Sequence, residues 1–171
     1  DVVFLGRPLI TDAAFPNKAA SGNANRIRYC VSCNSCWRNI IEAGALACDN
    51  NPRVGDPDEH HERPSSVTHQ RHVVVVGSGV SAMEAAHTAA QRGHRVSVVG
   101  NVDQVGGKTR LHAQLPGGEN LSSIYDYQYL MARQAGVHFT QNRQAQVEDV
   151  LALNPDVGLL ATGARASQPI W

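Results

Sequence analysis

The residues of this chain best suited to chemistry are its four cysteines, which follow the pattern C-x2-C-x2-C-x11-C at Cys30, Cys33, Cys36 and Cys48. Two-residue gaps allow three thiolates of one tight loop to reach three corners of a compact body. A longer excursion through residues 37–47 then brings back the fourth. A 4Fe-4S cluster is held by four such thiolates. The spacing therefore predicts an iron–sulfur cluster and, with it, electron transfer.

Zinc is the main alternative occupant of a four-thiolate site. It is usually bound between two separated C-x2-C pairs, whereas here three cysteines are evenly spaced and the fourth stands alone. A disulfide framework is typical of small secreted proteins, and nothing else in the sequence indicates one. Zinc, disulfides and free thiols stay open as the less favoured interpretations.

A second motif follows a run of β-branched residues. Residues 72–76 have the pattern of a strand buried on both faces, and Gly77, Gly79 and Ala82 then form a G-x-G-x-x-A dinucleotide fingerprint. Gly77 permits a tight turn, Gly79 lets the backbone approach a pyrophosphate, and Ala82 permits close helix–strand packing. The amino terminus of the next helix would offer free N–H groups to the phosphates. A tight turn without a ligand is the simpler alternative.

The residues after the second strand depart from this fingerprint. An acidic residue normally bonds the ribose hydroxyls there, but this chain has Gly100 and Asn101. The Asn101 amide could still bond a ribose, and a site without the carboxylate better tolerates a phosphorylated ribose. Gly106 and Gly107 permit a second close backbone pass near the pyrophosphate. Gly163 follows the last predicted strand, at the edge where parallel sheets place their ligands.

Composition and charge argue against several classes of function. The 171 residues are 42% apolar, and 15 basic residues balance 15 acidic ones. No basic stripe indicates a nucleic-acid partner, and no polybasic segment indicates a membrane surface. The longest aliphatic run, residues 73–76, is far too short to span a bilayer. Reduced cysteines and the lack of an export signal predict a cytoplasmic location.

The chain divides into four segments. Residues 1–29 comprise a strand at residues 2–5, a Gly-Arg-Pro turn and an irregular stretch, and residues 30–52 form the cysteine cage with its loop. Residues 53–71 form a surface linker whose His60 and His61 we interpret as solvated. Residues 72–171 form an α/β unit with the β–turn–α–β order of a parallel, Rossmann-like sheet.

Regular elements of this last segment follow from its hydrophobic pattern. Helices are predicted over residues 83–92, 121–135 and 147–153, and strands over residues 72–76, 94–99, 137–139 and 157–160. The tyrosines of the second helix, Tyr125, Tyr127 and Tyr129, are interpreted as packing and surface residues.

These motifs together resemble the carboxyl-terminal part of the iron–sulfur flavoproteins related to old yellow enzyme. This is the family of 2,4-dienoyl-CoA reductase and of trimethylamine and histamine dehydrogenases. Residues 1–18 resemble the end of that family's flavin (β/α)8 barrel, residues 26–52 its cluster segment and residues 72–107 its first adenine-nucleotide unit. Residues 161–163 resemble its later Ala-Thr-Gly turn.

The resemblance implies the roles of several residues. Gly6 and Arg7 would bind the phosphate of FMN, a role that suits a guanidinium because it forks onto phosphate oxygens. The glycines of the nucleotide unit would bind FAD, or only an ADP as in the amine dehydrogenase branch. Asn101 stands where members that use FAD and NAD(P)H usually carry an acid, so it leaves this choice open.

The resemblance also implies a reaction, that of an NAD(P)H:flavin oxidoreductase. Hydride from NAD(P)H would reach FAD, single electrons would cross the cluster to FMN, and FMN would reduce an activated C=C bond of an enoate or dienoyl-type small molecule. In the amine dehydrogenase branch, electrons would run from an amine to a separate acceptor. Neither the catalytic barrel nor the pyridine-nucleotide domain has a counterpart in these residues. We therefore expect a fragment of a longer protein, with exposed apolar surface, that could form a homo-oligomer.

Two hypotheses from other classes stay open. The first is a zinc-stabilised nucleotide-binding module, which would hold metal but no flavin. The second is a plain flavin disulfide reductase, which needs a redox cysteine pair near the FAD. All four cysteines here precede the fingerprint strand, and this order argues against the second hypothesis.

Overall fold

The computed structural model of this chain describes residues 2–61, 64–165 and 167. Three of the predicted segments therefore extend beyond the described residues. These are the barrel-like segment at residue 1, the linker at residues 62–63, and the nucleotide-binding segment at residues 166 and 168–171.

Four parallel strands form the sheet at the centre of the fold. They are β1 (His72–Val76), β2 (Arg95–Val99), β3 (His138–Thr140) and β4 (Val157–Leu160). Their spatial order is β3-β2-β1-β4, and every neighbouring pair is parallel. The β–α–β order of the sequence predicts such a sheet, because parallel neighbours need a crossover connection between them.

The first strand lies between two neighbours and is the most deeply buried. Val74 and Val75 are fully buried, as expected of an apolar run covered on both faces. Val76 pairs with both Val99 and Leu160, so β1, β2 and β4 end at the same level. The loops that follow these three strands therefore lie along one edge of the sheet.

Seven α-helices occur within the described residues. They are α1 (Arg7–Thr11), α2 (Phe15–Ala20), α3 (Ser35–Ala43), α4 (Val80–Gln91), α5 (Gly107–His112), α6 (Ser122–Gln134) and α7 (Val147–Leu151). Short 3-10 turns lie at Ala24–Arg26 and Glu119–Leu121. None of the described helices is long and apolar enough to cross a bilayer.

The hydrophobic core lies between the sheet and the pair α4–α6. Ala82, Met83 and Ala86 of α4 are fully buried, and Ala132 of α6 packs in the same cluster. Small side chains at these positions let the helices approach closely, and Met83 fills the space that the alanines leave. All the buried members of this cluster lie between residues 73 and 137, so the cysteine segment lies outside it.

The α/β fold is as predicted, and α2, α3 and α5 are helices that the sequence analysis did not predict. The first residues of the chain also differ from the prediction. Residues 2–5 carry no regular secondary structure, because no described strand pairs with their β-prone sequence. Val2, Val3 and Phe4 are accordingly at least 78% exposed. Arg7–Thr11, predicted as a turn followed by an irregular stretch, is a short helix with Pro8 in its first turn.

Candidate functional site

The four cysteines line one pocket. The residues that line it are Cys30, Cys33, Cys36 and Cys48 together with Arg7, Ile10, Thr11, Val31, Asn34 and Asn50. All four thiols are free of disulfides; Cys33 is exposed and the other three are partly buried. In the described part of the chain, no three histidine, cysteine, aspartate or glutamate side chains form a group that could hold a metal ion. The four thiols therefore line one pocket, but among the described residues they are not arranged as the ligands of a single metal ion.

Two residues of the cysteine segment before α3 have an unusual backbone conformation. Ser32 and Asn34, on either side of Cys33, both have left-handed backbone, with φ of 57° and 61°. This conformation is uncommon outside glycine and is tolerated best by asparagine and aspartate. Asn34 lies directly before the first residue of α3.

The excursion between Cys36 and Cys48 is helical over most of its length, whereas the sequence analysis predicted a loop. Helix α3 ends at Ala43 and is followed by Gly44, whose φ is 65° and whose N–H donates to the carbonyl of Ile40. A glycine just after a helix is a recognised stop signal, and it could have revealed this helix. Trp37 and Ile41 on α3 are each about two-thirds exposed, at 66% and 67%.

Hydrogen bonds hold the two ends of the cage together. The Asn50 side-chain amide donates to the carbonyl of Tyr29 at 3.0 Å, which joins the residue before Cys30 to the second residue after Cys48. The Ser35 hydroxyl donates to the Asp49 carboxylate. The Thr11 hydroxyl lies 3.8 Å from the sulfur of Cys48. These contacts hold Cys48 near the other three cysteines.

The residue pair predicted to bind the FMN phosphate lies beside this pocket. Arg7 is exposed, and its guanidinium donates to the side-chain oxygen of Asn34. Gly6 is exposed, with no atom within 4 Å of the position that a Cβ would occupy. Arg7 thus lines the cysteine pocket, and the FMN role of the pair stays a prediction.

The fingerprint glycines differ in their surroundings. Gly77 has φ of 128°, and a Cβ there would lie 2.2 Å from the carbonyl oxygen of Ala161. A Cβ on Gly79 would meet nothing within 4 Å, although Gly79 starts α4 with no side-chain cap on that helix. Gly77 is therefore required by the packing of β1 against β4. Gly79 leaves an open approach to the uncapped N–H groups of α4.

The second glycine pair joins the same loop. The N–H of Gly106 donates to the carbonyl of Ser78 at 2.8 Å, and Gly106 forms a parallel bridge with Gly79. A Cβ on Gly107 would lie 3.0 Å from the Cα of Gly79. A Cβ on Gly106 would lie 2.7 Å from the ring of Tyr125. Both glycines are thus held against the fingerprint turn.

Two of the remaining predicted nucleotide residues lie at the same edge of the sheet, and the third lies in the core. Asn101 is exposed in the loop after β2, and Gly163 is exposed after β4 with φ of 78°. Ala82 is fully buried in the core, where the fingerprint requires a small side chain. Their contacts with a nucleotide stay predictions.

A buried polar cluster that the sequence analysis missed connects the cysteine segment to the nucleotide unit. The Arg28 guanidinium donates to both carboxylate oxygens of Glu84 on α4, at 3.0 and 3.1 Å. Gln128 of α6 donates to the same carboxylate at 2.9 Å, and His87 lies 3.1 Å from it. The ring of Tyr127 lies against the guanidinium, 4.6 Å away. Glu84 is the one carboxylate in the mostly small and apolar sequence of α4, and this is the signal from which the cluster could have been predicted.

The charges of Arg28 and Glu84 in this buried polar cluster stabilise each other. Burial raises the pKa of Glu84, but His87 and Arg28 outweigh it and lower that pKa to about 2. Burial lowers the pKa of Arg28, yet Glu84 and Tyr127 together raise it above its usual value. Arg28 and Glu84 are therefore both charged, and the pair is held by geometry close to that of a bidentate bond.

Comparisons with known proteins identify the family of this chain. Residues 38–168 match the family described as pyridine nucleotide-disulphide oxidoreductase. NADH oxidase of Thermoanaerobacter brockii is 35% identical, over 99% of this chain and 26% of that protein.

Several solved structures are similar over almost the whole chain, among them a histamine dehydrogenase and a 2-naphthoyl-CoA reductase. Histamine dehydrogenase from Rhizobium sp. 4-9 matches with a TM-score of 0.91 at 26% identity, over 97% of this chain and 25% of that one. A 2-naphthoyl-CoA reductase matches with a TM-score of 0.86 at 32% identity, over 95% of this chain and 25% of that one.

The chain spans about a quarter of the length of each of these proteins. A reductase and an amine dehydrogenase are among them, as the resemblance in the sequence implied. The chain belongs to the pyridine nucleotide-disulphide oxidoreductase family, and its resemblance to the iron–sulfur flavoproteins related to old yellow enzyme is confirmed.

Proposed function

We propose that this chain is the electron-transferring part of a flavin- and iron–sulfur-dependent oxidoreductase that uses NAD(P)H to reduce an activated C=C bond of a small molecule. One observation carries the proposal: a single short segment brings four thiols to one pocket, and that segment is joined to a Rossmann-like unit. Such a protein needs both a cluster site and a nucleotide site, and this chain offers residues for each.

The donor set of the pocket suits a 4Fe-4S cluster. Cys30, Cys33, Cys36 and Cys48 would hold it, and when bound it takes up and releases single electrons. The other residues that line the cysteine pocket are mostly neutral or apolar. The Thr11 hydroxyl, 3.8 Å from the Cys48 sulfur, could supply a hydrogen bond to that ligand. Hydrogen bonds to the sulfurs and limited access of solvent are what tune such a cluster.

The open turn at Gly79 suits the pyrophosphate of FAD. The N–H groups at the start of α4 are uncapped by any described side chain, so they can bind phosphate oxygens. Gly106 and Gly107 form the neighbouring wall, and Asn101 and Gly163 lie at the same edge of the sheet. Together these residues would orient the dinucleotide along the ends of the strands.

The guanidinium of Arg7 suits the phosphate of FMN. It is exposed, and it also lines the cysteine pocket. A flavin phosphate held by Gly6 and Arg7 would thus be bound directly beside the cluster segment. The remainder of the FMN site would come from residues outside this chain.

The names of the similar proteins support an NAD(P)H-dependent reduction as the reaction class. An NADH oxidase and a 2-naphthoyl-CoA reductase are both similar to almost the whole of this chain. A pyridine nucleotide as electron donor and a conjugated small molecule as acceptor follow by analogy with their names.

A second candidate is an amine dehydrogenase with a structural ADP. Two observations favour it: the similarity to histamine dehydrogenase, and Asn101 in place of the usual acid. In that case an amine would be oxidised, a separate protein would accept the electrons, and the site at Gly79 would hold no flavin.

Analysis of the purified protein tests both proposals. It would be isolated without oxygen and analysed for iron, acid-labile sulfide and zinc. Absorbance would be recorded before and after dithionite. We expect about four irons and four sulfides per chain, with bleaching on reduction. One zinc without sulfide or visible absorbance would instead leave a zinc-stabilised nucleotide-binding module.

The nucleotide released by acid precipitation separates the two enzyme classes. FAD in the supernatant supports the NAD(P)H-dependent reductase, and ADP supports the amine dehydrogenase. Chromatography with authentic FAD and ADP as standards identifies the released compound.

A further inference from the structure

Arg28 is tied to both ends of the cysteine cage. It lies two residues before Cys30, and its guanidinium donates to the carbonyl of Asn50, two residues after Cys48. Asn50 itself lines the cysteine pocket. A buried positive charge is therefore fixed against the wall of the proposed cluster site.

The countercharge for this cation comes from the nucleotide unit. Both oxygens of Glu84 accept hydrogen bonds from Arg28, across 56 positions of sequence. Gln128 and His87 hold the carboxylate from the side of α6 and from the next turn of α4. Its orientation is therefore determined by three partners.

Among the described residues, Asp12 is another carboxylate that contacts Arg28, and it does not take over this role. Asp12 accepts the backbone N–H of Arg28 at 2.8 Å, but its charge is paired with Lys18 at 2.7 Å. The ammonium of Lys18 lies 5.9 Å from the ring of Tyr127, the same ring that stacks on Arg28. Asp12 and Lys18 cancel each other, so the charge of Arg28 is balanced by Glu84.

The reduction potential of a cluster depends on the net charge around it, because reduction adds one negative charge. A buried charge is poorly screened, so an uncompensated cation beside the pocket would favour the reduced state. We propose that Glu84 is a positioning residue for the cluster, which neutralises Arg28 and thereby keeps the reduction potential low. This inference depends on the proposed function, since it requires that the cysteines bind a cluster.

The inference predicts shifts of opposite sign. Glu84→Gln keeps the shape of the side chain and removes its charge, so the midpoint potential should rise. Arg28→Gln removes the cation and leaves the carboxylate, so the potential should fall. In the double variant both charges are absent, and the potential should return towards the wild-type value.

The experiment is a redox titration of the purified protein, followed by absorbance and by electron paramagnetic resonance. At a fixed poise we expect the ratio of reduced to oxidised cluster to change about tenfold in each single variant, which corresponds to about 59 mV. Glu119→Gln is the matched control, because it removes an exposed carboxylate outside the cluster segment. It should leave the potential unchanged.

Iron and sulfide analysis of every variant separates the possible failures. A wild-type protein without iron and sulfide would overturn the proposed function itself. Loaded variants with unchanged potentials, or single variants that shift in the same direction, would overturn the role of Glu84 alone. If Glu84→Gln does not fold, the fall expected for Arg28→Gln still tests the inference, and Arg28→Lys should restore the wild-type potential.

Discussion

Arg28 and Glu84 meet through two parallel hydrogen bonds, at 3.0 and 3.1 Å, and join the cysteine segment to the first helix of the nucleotide unit. Both side chains are mostly buried, with exposed fractions of 9% and 21%. Breaking such a pair leaves an uncompensated charge in the interior, which is more costly than the loss of a surface ion pair. This contact therefore bears on the stability of the chain as well as on its proposed chemistry.

The pair predicts how stability depends on pH. The folded pKa of Glu84 is lowered to about 2, whereas an unfolded glutamate titrates near ~4.3. The stabilisation is thus fully present above the unfolded pKa and is lost as the pH falls from about 5 towards 2. Its size is on the order of 3 kcal/mol. Urea unfolding across this range should show the loss in the wild type and a flatter profile in Glu84→Gln. Equal slopes for the two proteins would contradict this prediction.

Gly77 should be the least replaceable glycine of the fingerprint. A Cβ there would lie 2.2 Å from the carbonyl oxygen of Ala161, and its φ of 128° disfavours any side chain. Gly77→Ala is expected to cost at least ~2 kcal/mol more than Gly93→Ala, because Gly93 shares a positive φ but has open space around it. Urea unfolding of the two variants measures the difference. Similar losses in both would show that the close contact with β4 is not limiting.

Gly79 should affect binding rather than folding. A Cβ there meets no protein atom within 4 Å, and the backbone conformation suits any residue, so Gly79→Ala should fold normally. The added methyl group would occupy the approach to the N–H groups of α4. We expect ADP to bind about tenfold more weakly or worse, a loss of ~1.4 kcal/mol. Titration calorimetry measures this loss.

The control for this variant is Gly158→Ala, which places a methyl group in open space within β4, away from the site. It should leave ADP affinity unchanged. Unaltered binding in Gly79→Ala would argue that the nucleotide does not use this turn.

The cysteines should affect iron content without affecting the sheet. Replacing Cys48 by serine removes one ligand of the proposed cluster, while the buried core between residues 73 and 137 contains none of the four thiols. Iron and sulfide should fall from about four each to well below that level, with unchanged far-ultraviolet circular dichroism. Ser66→Ala, in the exposed linker, should retain both. Full iron content in the Cys48 variant would remove that residue from the ligand set.

Local signals in the sequence were sufficient for the parts of the fold that depend on neighbouring residues. The β-branched run at residues 72–76, the glycines that follow it and the alanine-rich helix together specify a β–α–β unit, because each element needs the next to bury its apolar face. The spacing of the cysteines likewise predicted that they would gather in one place. Short spacing along a chain restricts the distance between its side chains.

The tertiary structure decided which distant residues meet. Nothing in the sequence links Arg28 to Glu84, since a charged residue before a cysteine and a carboxylate in a helix each have many possible partners. The contact of Gly107 with Gly79 also depends on how the loop after β2 folds back. Residues 2–5 show the converse: they have the composition of a strand and lack one, because a strand forms only where another backbone supplies its hydrogen bonds. Short-range spacing thus indicated the candidate sites of this protein, while long-range packing decided how the charges and loops around them are arranged.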